Sequence, residues 1–189
     1  MLINIPNFIT LGRIISVPVI FWLLLTDHSR IAFFVFVCAG ISDALDGYLA
    51  KTYDWRTELG SYLDPLADKL LIVSIYIALA VREELPLWLV IAVVSRDILI
   101  VAAVLLAWLL DQPVRVKPLT VSKVNTAVQI LLAATILADE AFGLGLEVTR
   151  LVLIWTTGAL TLLSLAAYLW AWFRHMTGAE ADTHTNSKT

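Results

Sequence analysis

Six long apolar runs, set apart by short polar breaks, make up nearly the whole of this chain. They cover about Leu11–Thr26, Arg30–Tyr53, Gly60–Val81, Leu85–Leu110, Val124–Ala138 and Val148–Phe173. A helix rising 1.5 Å per residue needs about 20 residues to cross a hydrocarbon layer of about 30 Å, and most of the runs come close to that. The pattern therefore predicts an all-α, polytopic integral membrane protein with six transmembrane helices. Ahead of the first run, Asn4, Pro6, Asn7 and Thr10 interrupt the apolar residues, which predicts an N-terminal interfacial segment. Residues 178–189, GAEADTHTNSKT, hold too little apolar surface to fold. The expected organisation is one membrane domain over 1–177 and a disordered polar tail over 178–189.

The breaks carry information of their own. Residues 54–59 form a short polar linker, so the second and third helices are expected to run antiparallel with the end of one beside the start of the next. Pro65 falls in the first-turn region of the third helix, where a missing amide hydrogen costs little. The fourth run is interrupted by Ser95, Arg96 and Asp97. Adjacent helical residues point in different directions, so Arg96 and Asp97 are expected not to pair with each other, and one of them to turn toward a polar cavity.

Composition sharpens the membrane reading. Of 189 residues 60% are hydrophobic and 15% charged, and the mean hydropathy of +0.85 is far above that of soluble domains. The net charge of −3 matters less than its distribution. With six spans, one side receives Arg13, Lys51, Arg56, Lys69, Arg115, Lys117, Lys123, Arg174 and Lys188, and the other only Arg30, Arg82 and Arg150. Positive charge marks the cytoplasmic face. The start of the chain lacks a basic or Arg- and Ser-rich leader, which favours a bacterial inner membrane over an organelle. The single cysteine, Cys38, excludes an internal disulfide and is expected in the core or against lipid. His28, His175 and His184 are scattered and are not read as ligands. No nucleic-acid partner is expected.

Against this background the acids of residues 42–69 stand out. An ionised side chain at the membrane costs several kcal/mol unless it is paired, hydrated or bound to a cation. Asp43 and Asp46 are three apart, Asp64 and Asp68 four apart, so each pair shares one face of a helix. Gly47, Ala50 and Gly60 flank them with little or no side chain, which permits close approach of a second helix or a ligand. Four facing carboxylates demand divalent cations, and hard oxygen ligands favour magnesium, manganese or calcium. Carboxylate-held magnesium with open positions commonly binds substrate phosphates.

Those residues, Asp43-x2-Asp46-Gly47-x2-Ala50-Lys51-x8-Gly60-x3-Asp64-x3-Asp68, resemble the signature of the CDP-alcohol phosphatidyltransferase family. The family usually has Arg where Lys51 stands, so the charge is kept and the two-pronged donor lost. Asn4 to Arg13 likewise resembles the family's N-x-P-N-x-x-T-x-x-R entry. The resemblance implies Asp43, Asp46, Asp64 and Asp68 as ligands of two Mg2+ or Mn2+ ions, with Asp68 also the general base. It implies that Gly47, Ala50, Lys51, Gly60, Thr10 and Arg13 meet CDP-diacylglycerol. For Arg13 a headgroup-snorkelling role stands equally open. A homodimer among membrane lipids is implied as well.

Val94 to Ile98 and Lys117 to Thr126 resemble the CMP-forming cardiolipin synthase branch, whereas phosphatidylglycerophosphate synthases tend to show Gly-Arg-Glu and Gly-Lys-x-Lys-Thr at these places. Arg96, Lys117, Lys123 and Asn125 are the candidate acceptor-binding residues. A second lysine at 125 suits a doubly charged glycerol phosphate; one cation suits a phosphodiester lipid. Phosphatidylglycerol is thus the expected acceptor, with glycerol 3-phosphate the alternative. An intramembrane prenyltransferase fits the acid spacing poorly. A divalent-cation transporter needs acids through the bilayer depth, whereas here they cluster at one face.

Overall fold

The computed structural model describes residues 5–53, 58–109 and 120–176, and their side chains over 12–42, 69–102 and 120–170. Six helices follow one another: α1 (Ile5–Leu25), α2 (Ser29–Tyr53), α3 (Glu58–Val81), α4 (Leu87–Leu109), α5 (Thr120–Phe142) and α6 (Glu147–Met176). No strand occurs among the described residues. The apolar runs thus form helices one for one, as their Leu, Ala, Ile and Val content favours.

Two helices, α1 and α5, run past the bounds of their apolar runs. α1 begins at Ile5, so the stretch expected to precede the first span as an interfacial segment is, from Ile5 on, continuous with that helix. Pro6 sits in its first turn, where the backbone amide would have no acceptor in any case, so it starts the helix instead of breaking it. α5 extends beyond its apolar centre at both ends, because its polar end residues find tertiary partners: Ser122 at one end, Glu140 at the other.

Short turns join α1 to α2, α3 to α4 and α5 to α6 at one end of the bundle. Two of them close in the same way. Asp27 (φ 60°) and Glu83 (φ 62°) adopt the left-handed conformation directly after their helices. The amides behind them, His28 to Leu23 O (2.9 Å) and Glu84 to Leu79 O (2.9 Å), cap the last carbonyls. Gly143 (φ 65°) and Gly145 (φ 67°) make the third turn, a conformation that costs glycine nothing. Charges tie these turns together. Arg82 bonds Asp27 at 2.8 Å and lies 3.5 Å from Glu140, which also accepts from Ser29 (2.9 Å); Arg150 donates to the carboxylate and backbone carbonyl of Glu84.

α1 packs against both α2 and α3, α5 against α2, α3 and α6, and α4 against α3 and α6. α1 lies against both α2 and α3; the end of α2 and the start of α3, expected to lie side by side, fall outside the described side chains. The core consists of Ile20, Leu24, Ile75, Leu79, Leu89, Val93, Leu132, Ile136 and Leu137, all sealed from solvent. Tyr76 is equally buried and donates to Gln129 O at 3.1 Å, joining α3 to α5. The exterior is apolar too: Trp22, Phe34, Trp155, Leu162 and Trp170 are each more than half exposed. An apolar surface that surrounds an apolar core suits lipid and not water. Cys38 lies on that exterior. α5 and α6 (as Glu147–Trp170) are long and apolar enough to cross a membrane by length and composition.

Candidate functional site

α2 is helical through Asp43, Asp46, Gly47, Ala50 and Lys51, and α3 through Gly60, Asp64 and Asp68. The spacings of three and four therefore place each acidic pair on one face of its own helix. The side chains of these residues and of Thr10 lie outside the described part, as does Lys117 altogether. The four carboxylates among them, Asp43, Asp46, Asp64 and Asp68, offer only oxygen donors, a chemistry that suits Mg2+ or Mn2+. Among the described residues no three His, Cys, Asp or Glu side chains converge on a metal position.

Beside the second pair the described side chains form a dense charged cluster. Lys69, next in sequence to Asp68, reaches across to α4 and pairs with Asp97 at 2.8 Å. The other oxygen of Asp97 accepts from Arg96 Nη1 at 2.5 Å. Arg96 and Asp97 do pair, contrary to expectation. Their Cβ atoms diverge, but the arginine stem is long enough to fold its guanidinium back onto the neighbouring carboxylate. The rest of that guanidinium is spent on other helices: Nε and Nη2 donate to Ser164 on α6 (3.3 and 2.8 Å), Nη2 donates to Ser122 on α5, and the Tyr168 ring centroid lies 5.9 Å away. Arg96 is 2% exposed. It clamps α4 to α5 and α6.

Below this clamp runs a polar seam between α5 and α6. Ser122, Asn125 and Gln129 face Ser164, Thr161 and Thr157 in antiparallel order, and Asn125 accepts from the Thr161 hydroxyl at 3.2 Å. Farther along the same interface the residues turn apolar, with Leu132 and Ile154 buried. Of the four residues expected to meet an acceptor, Arg96 and Asn125 are thus buried in packed interfaces and Lys123 is exposed in the first turn of α5. Arg13 is 3% exposed within α1, which removes the reading as a cation reaching out to headgroups.

Asp97, Ser122, Ser164 and Tyr168 were not foreseen as parts of one cluster. A signal was present: the hydroxyls Thr157, Thr161 and Ser164 recur at helical spacing along an otherwise greasy α6, as do Ser122, Asn125 and Gln129 on α5. Polar residues on one face of a membrane helix mark the face that meets another helix.

Comparison with known proteins covers the same region. The family model described as CDP-alcohol phosphatidyltransferase matches residues 3–172. A human protein named cardiolipin synthase (CMP-forming) is 36% identical over 174 residues, covering 84% of this chain and 58% of its own. A fission-yeast protein (Schizosaccharomyces pombe), a fusion of such a synthase with a mitochondrial hydrolase, is 33% identical over 180 residues, 87% of this chain and 30% of its own. The Haemophilus influenzae protein named CDP-diacylglycerol–glycerol-3-phosphate 3-phosphatidyltransferase is 33% identical over 175 residues, 88% of this chain and 91% of its own. The chain thus spans a little over half of the human relative and under a third of the yeast one.

Proposed function

The chain belongs to the CDP-alcohol phosphatidyltransferase family, a family of membrane-associated enzymes, and on that premise we propose that it transfers the phosphatidyl group of CDP-diacylglycerol to phosphatidylglycerol, giving cardiolipin and CMP. The acceptor hydroxyl attacks the phosphorus that carries diacylglycerol, the bond from that phosphorus to the CMP oxygen breaks, and the hydroxyl proton passes to Asp68. Asp43, Asp46, Asp64 and Asp68 would hold Mg2+ or Mn2+, which when bound neutralises pyrophosphate and the departing CMP. Gly47, Ala50 and Gly60 leave room for the nucleotide, and Lys51, Thr10 and Arg13 contact the donor's phosphates. Lys123 and Lys117 meet the acceptor phosphate, with Arg96 and Asn125 behind them.

The choice of acceptor rests on one observation: the buried Arg96 guanidinium is neutralised and its donors are spent within the bundle. Arg96 is bonded to Asp97, and position 125 is a buried neutral amide. Such a site suits a singly charged phosphodiester better than a dianion. Glycerol 3-phosphate remains as a second reading, favoured by the match over nearly the full length of the Haemophilus relative named for that acceptor.

The setting follows from charge. All six helices are taken to span the membrane. The end that holds Asp27, Glu83, Glu84, Asp139, Glu140 and Glu147 engages Arg30, Arg82 and Arg150 in bonds to carboxylates and carbonyls, so it retains little free positive charge. The opposite end, with Lys69 and Lys123, then faces the cytoplasm. The test uses purified protein in detergent with labelled CDP-diacylglycerol and Mg2+, and phosphatidylglycerol or glycerol 3-phosphate supplied separately. CMP release with the lipid acceptor alone is the expected result. Release with the soluble acceptor alone replaces it with the second reading, and no release with either removes both.

A further inference from the structure

Arg96 shows that a long cationic side chain on a helix can fold onto the carboxylate beside it in sequence, its Nη1 meeting Asp97 at 2.5 Å. Lys69 stands in the same relation to Asp68, the residue before it in α3. Among the described residues, however, its ammonium pairs with Asp97 on α4, at 2.8 Å. Asp97 is a fixed receptor for that charge. It is 14% exposed, and its other oxygen is held by Arg96, which Ser122 of α5 and Ser164 of α6 hold in turn. Lys69, by contrast, is 40% exposed and carries its ammonium on a flexible four-carbon stem. Where that ammonium rests matters to the acids. Successive residues step about 100° round a helix, so the lysine stem starts beside the face that carries Asp64 and Asp68. An ammonium on that face would take up carboxylate oxygens that a divalent cation needs, and would repel the cation as well.

We propose that Asp97 is a positioning residue for the metal site: by holding the Lys69 ammonium against α4 it keeps that charge off the carboxylates of Asp64 and Asp68, so that they stay available to a divalent cation. This rests on the reading of the four aspartates as metal ligands. It does not depend on which alcohol accepts the phosphatidyl group, because the effect is on the ions that any acceptor would share.

The test reads metal binding directly. The full chain in detergent, without lipid substrates, is titrated with Mn2+, and free Mn2+ is followed by its paramagnetic resonance signal. Asp97→Asn keeps the shape and releases the lysine, and is expected to weaken Mn2+ binding about tenfold. Lys69→Gln removes the competing ammonium and is expected to bind Mn2+ at least as tightly as the wild type. The double variant, Asp97→Asn with Lys69→Gln, is expected to return to the wild-type affinity, since no ammonium is left to displace. Mere architecture predicts a different pattern. All three variants lose the ionic α3–α4 bridge, so a bridge that only braced α3 would weaken binding in each of them. Weakening in all three alike, or unchanged binding in Asp97→Asn, overturns the proposal. The metal reading is checked separately by Asp64→Asn: a wild type that takes up no Mn2+, or uptake that survives Asp64→Asn undiminished, defeats that reading and the proposal with it, whereas wild-type uptake abolished by Asp64→Asn but indifferent to Asp97→Asn defeats the proposal alone.

Discussion

Replacing Arg96 by methionine removes the guanidinium and keeps a long apolar stem. Three things follow. The Asp97 carboxylate, 14% exposed, is left with only Lys69, whose own side chain is 40% exposed. The Ser122 and Ser164 hydroxyls lose a charged donor, although Ser164 can turn back to a carbonyl one turn earlier on α6. The Tyr168 ring loses its cation. Removing one partner of a buried ion pair costs 3–5 kcal/mol, and the remaining Lys69 contact and the free serine rotamers place this case near the bottom of that range, about 3 kcal/mol. At 2–4 °C per kcal/mol for a chain of this size, unfolding should move down by roughly 10 °C. The assay is thermal unfolding in a fixed detergent, followed by tryptophan emission. The reasoning is exposed by a second variant: Arg96→Met with Asp97→Leu removes both charges, and Lys69 can reach water, so the double variant should be more stable than Arg96→Met alone. A double variant whose loss equals or exceeds the sum of the two single losses would refute the clamp.

Four shorter predictions accompany it. Asp68→Asn should lower kcat by at least about 10³-fold while sparing much of the binding of CDP-diacylglycerol, read by equilibrium binding of the labelled donor; full activity removes Asp68 from the proton transfer. Lys123→Ala should raise the KM for the acceptor about tenfold and that for the donor far less, since the residue is exposed beside the acceptor end; equal rises point to a structural role. A Cβ at Gly158 would lie 2.9 Å from the Trp88 ring. Gly158→Ala should therefore push that ring outward, at a cost of about 1 kcal/mol, with a shift in tryptophan emission. Glu83→Gly should stabilise the protein by about 0.5–1 kcal/mol, because the exposed glutamate holds a left-handed conformation (φ 62°) that glycine adopts freely; a lower unfolding temperature would count against this.

The sequence by itself determined the parts whose cause is local. Apolar runs of membrane length, broken by Pro, Asp and Gly, become helices because every backbone amide and carbonyl must be satisfied within its own segment when no water is at hand. The i, i+3 and i, i+4 spacing of Asp43, Asp46, Asp64 and Asp68 puts each pair on one face once those segments are helical, as they are. What only the tertiary structure decided is which side chains meet across helices. Nothing in the spacing of Lys69, Arg96, Ser122 and Ser164 says that four helices bring them together, since they are contributed by segments 26 or more residues apart. Local geometry even argued the wrong way for Arg96 and Asp97, because it treats directions at Cβ and not the reach of a guanidinium on three methylenes. The placement of α1 against both α2 and α3 is of the same kind. Linker length limits how far apart two helix ends lie, but packing of side chains decides which helix fills the space beside them.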